Sequence, residues 1–431
     1  VSLIARTRSN AAGDEPPGLA GDVLPKEPAH SVDPHPWRLA LLLGVAVIAA
    51  GMLWSTALLP RIRHTPFWLP PFDVWAPIGS AQYVANGALG YLYSGSGLYL
   101  SPPLFAIVLA PVAWVGQTAA MTWNTPGVIV PHPTLWLVYG PIGLGLTVLL
   151  FHEVRALSAD LDPARLWQVQ VSALALVAIP VALEWGHYEE ILAIVAMLAF
   201  ARQRIRGRDG PAALRLSVAV ALTWWAVLAV PIAVAMAPKG RRTRMLAQSL
   251  ALPALLVALP LATDWTHASA ALLRTKVDPW LGHPAAWVGD PGRVASAIPW
   301  RLCALALAVL VAFAVRNRFS PATLFASLGV VLLGRLLFEP TLFCYFLGAG
   351  LLMLVLHERA THGTVIRATA TGLATLAMFY VHPPGHVWWA LEVAALGIAV
   401  WPALVHVVRT ARLAPEAAAD PVPAGVSPEG S

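Results

Sequence analysis

Long apolar runs, separated by short basic or Pro/Gly-rich breaks, dominate this chain. The first, Leu39–Leu59, is long enough to cross a hydrocarbon core of roughly 30 Å. Further runs lie near 134–151, 166–183, 189–201, 245–262, 299–315, 321–338, 341–356, 365–381 and 387–408. Such runs predict membrane helices. The breaks between them alternate in character. One set carries Arg155/Arg165, Arg202 to Arg208, Lys239 to Arg244, Arg316/Arg318, Arg359/Arg367 and Arg409/Arg412; the other is poor in Lys and Arg. By the positive-inside rule the basic breaks face the cytosol.

That assignment decides two ambiguous stretches. Residues 212–238 have basic clusters on both flanks, so a single crossing would put one cluster outside. A bent pair of short helices turning near Thr223-Trp224-Trp225 satisfies both. Residues 102–116 are counted instead as a re-entrant or juxtamembrane helix bent at Pro111, because a full crossing would invert every later cluster. The expectation is an all-α polytopic membrane protein of about 12 spans with both termini cytosolic. Residues 1–36 read as a disordered cytosolic tail, 37–410 as one integral-membrane domain and 411–431 as a second tail. Large outer loops are expected at 60–133 and 263–298.

Composition supports this picture. The 431 residues are 58% hydrophobic and 12% charged, with a mean hydropathy of +0.67. A soluble chain averages about 25% charged residues, and with this composition would expose large apolar patches. A cytosolic enzyme and a nucleic-acid-binding domain are thereby excluded, and the net charge of +6 is read as topology. Cys303 and Cys344 both fall in apolar runs, which argues against a disulfide framework or a thiolate zinc site. Most of the 18 Trp residues fall at or beyond the outer span ends. Interfacial anchoring alone would distribute them to both faces, so the asymmetry suggests a surface for stacking on sugars or lining a lipid groove.

Ionisable groups at the outer surface or inside a span are functional candidates. Asp73, in Pro70-Pro71-Phe72-Asp73-Val74-Trp75, is either a helix N-cap or a site carboxylate. The outer turn from Glu184 to Glu190 holds Glu184, His187, Glu189 and Glu190. The helix macrodipole would favour Glu189 and Glu190 there, yet three carboxylates and a histidine exceed what a turn needs. Arg274 and Lys276 lie in the second outer loop. Arg335 lies within a span, and Glu339 at i,i+4 is a partner for it; a phosphate is another. His382 and His386 are separated by Pro-Pro-Gly, which disfavours a shared metal, and no metal site is expected. Asp160-Leu-Asp162 imitates a nucleotide-sugar motif but lies on the inner side, where it reads as a helix-start turn. No phosphate-binding glycine loop occurs, so neither ATP, a dinucleotide nor another cofactor is expected.

These features together resemble the GT-C type of integral-membrane glycosyltransferase, most closely glycosyltransferase family 87. The matching residues are Asp73, the stretch Gly87 to Tyr93, the Tyr99 to Pro111 block with Pro102-Pro103, and the turn Gly186-His187-Tyr188-Glu189-Glu190. Trp224-Trp225 through Pro231, and Glu339-Pro340 with Tyr345, complete the set. Two departures matter: Thr223 stands where relatives usually carry a basic residue, and Tyr188 replaces a usual Pro. The resemblance implies transfer of a sugar, mannose foremost, from a polyprenyl-phosphate donor to a glycolipid or glycan acceptor on the outer face of the cell membrane. It implies Asp73 as base, with Glu189 or Glu190 as the other candidates. His187, Glu184, Trp75, Tyr93, Trp224, Trp225, Arg335, Arg274, Lys276 and Tyr345 become binding candidates. With Thr223 unable to neutralise phosphate, Arg335 is the favoured replacement cation. A lipid or solute transporter or flippase is the alternative, although no internal repeat supports one.

Overall fold

In the computed structural model, residues 42, 46, 75–94, 101–118, 133–161, 166–184, 186–273, 276–277, 295–296, 298–339, 344–362, 364–381 and 386–412 are described. Helices dominate them. A two-residue antiparallel pair, Lys276–Val277 with Ala295–Ser296, is the one strand pairing among the described residues.

The helices, in chain order, are α1 (Trp75–Ala85), α2 (Leu104–Thr118), α3 (Pro133–Leu161) and α4 (Leu166–Ala173), which continues as a π-helix over Leu174–Glu184. After Gly186 come α5 (Tyr188–Ile205), α6 (Asp209–Leu222) and α7 (Ala229–Ala235), then α8 (Arg242–Thr263), α9 (Trp265–Leu273) and α10 (Ile298–Ala314). The last are α11 (Pro321–Gly334), α12 (Gly348–His362), α13 (Ile366–Val381) and α14 (His386–Arg412). Three stretches, Pro141–Leu161, Lys239–Thr263 and Trp389–Arg412, are long and apolar enough to cross a membrane. Shorter apolar helices, among them Leu166–Val181 and Pro321–Leu337, accompany them. Leu255, Leu310, Phe313, Ile398 and Trp401 are exposed on helix surfaces, as lipid-facing side chains would be.

The interior is built on α5, which packs along α3 and α6, while α8 covers α6 and α11 packs on α12 and α14. The α11–α12 contact is close because glycines make room on both sides. A Cβ on Gly329 would stand 2.6 Å from Leu354 Cδ2, and one on Gly350 would stand 2.5 Å from Leu333 Cγ. Each leucine thus fills the notch left by the facing glycine, the small-residue packing that brings apolar helices together without a hydrophobic driving force.

The predicted break at Thr223 is present. Thr223 is extended (φ −146°, ψ 142°), and a 3₁₀ turn over Trp224–Leu228 leads into α7. The α6–α7 pair runs out and back, because the start of α6 and the end of α7 meet at one arginine. Arg204 donates to the Asp209 carboxylate through Nη1 and to the Met236 carbonyl through Nη2 at 3.0 Å, with its guanidinium 4.9 Å from the Phe319 ring. Fourteen residues of α6 rise roughly 21 Å, short of a full bilayer core.

Arg204 belongs to a basic end of the molecule rich in ion pairs. Arg202 meets Glu153 at 3.0 Å, and Arg206 forks onto both oxygens of Asp160 at 2.9 Å. Arg241 reaches the second oxygen of Asp209 at 3.0 Å. Arg242 ties the Ala235 and Ala237 carbonyls to Asn317, whose left-handed φ of 61° closes the turn after α10. Asp160 is therefore not part of a helix-start turn: it lies in the last turn of α3, bound to Arg206, and Asp162 lies outside the described residues.

Candidate functional site

Opposite the basic end, four chain segments bring ionisable and aromatic side chains together. The first is the turn into α5. Gly186 adopts φ +74°, a left-handed conformation that costs a residue with a Cβ and suits glycine. The reversal lets the His187 amide bond to the Val181 carbonyl at 3.0 Å, joining the π-helix to α5. His187 takes the N-cap position but does not cap; its Nδ1 bonds Glu189 Oε1 at 2.8 Å. Glu189 and Glu190 occupy the first turn of α5, where exposed amides favour negative charge. Both are buried, at 5% and 9% exposure, which distinguishes them from ordinary helix-start acids. Tyr188 is buried against Gly143 on α3, where a Cβ would stand 3.1 Å from its hydroxyl, a tight contact that the glycine relieves.

The second segment is the break between α6 and α7. Trp225 is buried and donates its indole N–H to Glu190 Oε2, whereas Trp224 is exposed at 36%. Thr223 is buried, and its hydroxyl finds no hydrogen-bond partner among the described residues. The third is the 3₁₀ turn Arg335–Leu337 that ends α11, and the fourth is the 3₁₀ turn Cys344–Leu347 that starts the approach to α12. The Arg335 guanidinium lies 5.8 Å from the Trp225 ring centroid and 5.2 Å from that of Phe346, within cation–π range. Tyr345 stacks on the His187 imidazole, centroids 3.8 Å apart and planes at 28°.

These contacts close a circuit: Glu189 to His187, His187 to Tyr345, Phe346 to Arg335, Arg335 to Trp225, and Trp225 to Glu190. The circuit holds two carboxylates, one guanidinium and one imidazole on an aromatic frame. One oxygen of Glu189, Oε2, is buried without a hydrogen-bond partner among the described residues. Glu190 and Glu339 both lie near enough to act electrostatically on Arg335. The expected i,i+4 pairing of Arg335 with Glu339 is not the contact formed. The α-helix gives way to a 3₁₀ turn at Arg335, and the ion pair of Glu339 runs to Arg301 on α10, Nη2 to Oε1 3.7 Å. Arg301 was missed as a candidate because in sequence it reads only as the flank of an apolar run.

Of the sequence candidates, His187, Glu189, Glu190, Trp225, Arg335 and Tyr345 are brought together, with Trp224 adjoining Trp225. Tyr93 is buried and donates its hydroxyl to the Ser101 carbonyl at 3.0 Å, close to the start of α2. Asp73, Arg274 and His382 lie outside the described residues. For Glu184, Trp75, Lys276 and His386 the backbone alone is described: the last turn of the π-helix, the start of α1, the short strand and the start of α14. Among the described residues no three His, Cys, Asp or Glu side chains group so as to hold a metal ion.

A second polar cluster was not anticipated. Ser94 donates to Asp264, and His267 Nδ1 lies 2.9 Å from the same carboxylate. These bonds hold the Asp264 carboxyl below its ordinary value. They fasten the end of the first loop to the α8–α9 junction, where Gly90 also abuts Thr263. No protein-family model matches the chain, and no curated protein sequence does.

Proposed function

We propose that the protein is an integral-membrane glycosyltransferase that moves a sugar, mannose in the first instance, from a polyprenyl-phosphate donor to a glycolipid or glycan acceptor. On this reading about 12 spans carry the chain, both termini are cytosolic, and the circuit opens to the outer face of the cell membrane. The observation that carries the reading is Arg335. A guanidinium seated between Phe346 and Trp225, the latter two residues along the chain from Thr223, offers a cation where members of the resembled family have a basic apex residue.

The chemistry follows from the donor. The bond between the anomeric carbon and the phosphate oxygen breaks, and its electron pair leaves with the phosphate. A cation fixed in a low-dielectric site stabilises that developing charge without reorganising. Aromatic faces such as Trp225, Tyr345 and Phe346 suit the apolar C–H faces of a sugar ring, and Glu189 Oε2 suits a sugar hydroxyl. The acceptor hydroxyl forms the new bond to the anomeric carbon and gives its proton to a base in hydrogen-bond reach. Asp73 and Glu189 are the carboxylates proposed for that step.

The broken α6–α7 pair also suits a transporter, in which discontinuous helices line the substrate path. One experiment separates the two readings. Purified protein in liposomes is supplied with polyprenyl-phosphate [¹⁴C]mannose and octyl α-mannoside. Label in the mannoside supports the transferase; movement of the donor between leaflets with no covalent product supports the transporter.

A further inference from the structure

We propose that Glu189 selects the donor by binding one hydroxyl of its sugar ring through Oε2; this rests on the glycosyltransferase reading and leaves proton acceptance to Asp73. Glu189 is 5% exposed, and its two carboxylate oxygens differ. Oε1 is tied to His187 Nδ1 at 2.8 Å, and His187 is in turn stacked on Tyr345. Oε2 is buried without a hydrogen-bond partner among the described residues. A carboxylate oxygen buried and unmatched is costly, so the atom calls for a ligand that donates to it. The helix start does not account for it. Glu189 stands in the first turn of α5, where the macrodipole favours an acid, but that effect requires no burial. Glu153 at the basic end also has a buried, unmatched Oε2, yet its other oxygen meets the Arg202 guanidinium at 3.0 Å. Among the described residues no arginine or lysine pairs with Glu189, and the adjacent Glu190 adds a second carboxylate to the same field.

The surroundings narrow the ligand to the donor sugar. Glu190, the next residue, accepts the Trp225 indole N–H, and the Arg335 guanidinium lies 5.8 Å from the centroid of that ring. Arg335 is the cation read as holding the donor phosphate, and the sugar is covalently joined to that phosphate. The ring therefore enters the circuit with its phosphate, whereas the acceptor meets it only at the anomeric carbon. A pyranose carries hydroxyls around its rim and C–H groups on its faces. The circuit offers the complement: a buried acceptor oxygen on a frame that includes the Tyr345 and Trp225 rings. An ionised carboxylate only accepts, so it takes a hydroxyl and is left unmatched by a ring carbon that bears hydrogen alone. A site built to bond a hydroxyl rejects the analogue that lacks it.

The test is equilibrium binding to the full chain in nanodiscs, with polyprenyl-phosphate mannose and its 2-, 3-, 4- and 6-deoxy analogues as probes. Wild type is expected to bind the analogue without the held hydroxyl about 10–100-fold more weakly than the parent. Glu189→Ala is expected to lose a similar factor for the parent and to bind parent and that analogue within about threefold, the mark of a direct pair in a double-mutant cycle. Glu189→Gln keeps the size and loses the charge; it is expected to fall between the two, and it carries the test if the alanine variant inserts poorly. A purely structural role would weaken every donor by one common factor and leave the wild-type preference in place, and that result overturns the proposal. So does a wild type indifferent to all four deletions, or a dependence on Glu189 that appears with deoxy forms of octyl α-mannoside instead of the donor. Transfer measured on the same preparations keeps the two readings apart. Selective donor binding without product upholds Glu189 and defeats the transferase; product with unselective binding does the reverse.

Discussion

The basic end and the opposite end use the same residue types to different effect. At the basic end, arginines meet carboxylates and helix-terminal carbonyls at hydrogen-bonding distance. Arg204 alone joins the start of α6 to the end of α7. At the opposite end, Arg335 is held by the faces of Trp225 and Phe346 and by the fields of carboxylates farther away, while Thr223 and Glu189 each keep a buried oxygen without a hydrogen-bond partner among the described residues. The ion pairs at the basic end fix helix ends, although Arg202 Nε, Arg204 Nε and Glu153 Oε2 there are also buried without a hydrogen-bond partner among the described residues. What sets the opposite end apart is a guanidinium framed by aromatic rings, a setting in which a ligand can complete the set. The basic end ties helices to one another, and the opposite end is where we propose the chemistry.

The largest effect should come from breaking the clamp. Arg204→Met strips Asp209 and the Met236 carbonyl of a buried partner, and breaking a buried pair from one side costs about 3–5 kcal/mol. The expected result is a large drop in thermal stability in detergent, with loss of activity following from unfolding. Next comes Arg335→Ala, expected to lower kcat about 10²–10³-fold, as removal of one charge-stabilising donor does, while the protein stays folded. Arg335→Lys should retain part of the activity with weaker donor binding, because an ammonium keeps the charge and loses the planar fork. A loss of stability in Arg335→Ala equal to that of Arg204→Met would erase the distinction between the ends.

Several of these features were legible in the sequence and others were not. Basic clusters on both sides of residues 212–238 required an out-and-back path, and the short helices do break at Thr223. The gathering of His187, Glu189 and Glu190 was visible because they are neighbours in sequence. Their meeting with Trp225, Arg335 and Tyr345 was suggested only by resemblance, since nothing local in the chain specifies contacts between α5, α11 and α12. The Arg204 clamp was hidden for the same reason: its partner Met236 lies 32 residues away, and an arginine in a basic cluster reads as a topology signal. Arg335 looked like the middle of a span because apolar runs do not mark where an α-helix tightens into a 3₁₀ turn. The bond between Ser94 and Asp264 joins residues 170 apart and left no sequence trace.

Smaller effects sharpen the comparison. The Asp264 carboxyl is held below its ordinary value, first by Ser94 and then by His267. The folded value is the depressed one, so the fastening is complete above the ordinary carboxylate range and is lost as pH falls through the folded value. Ser94→Ala should move that loss to higher pH, read as hydrogen exchange of residues 86–94 during acid titration. An unchanged titration would deny Ser94 the role. Smallest of all, Arg206→Ala removes an exposed pair with Asp160 and should leave thermal stability unaltered, as exposed ion pairs usually do.

The central claim is that the end opposite the basic clusters performs sugar transfer. The most direct measurement is label transfer from polyprenyl-phosphate [¹⁴C]mannose to octyl α-mannoside in sealed, oriented proteoliposomes, comparing wild type with Arg335→Ala and Glu189→Gln. The account predicts labelled product from wild type with the acceptor confined to the side opposite the basic end, and little or none from either folded variant. Equal product from wild type and both variants, or product only when acceptor is supplied at the basic end, would contradict it.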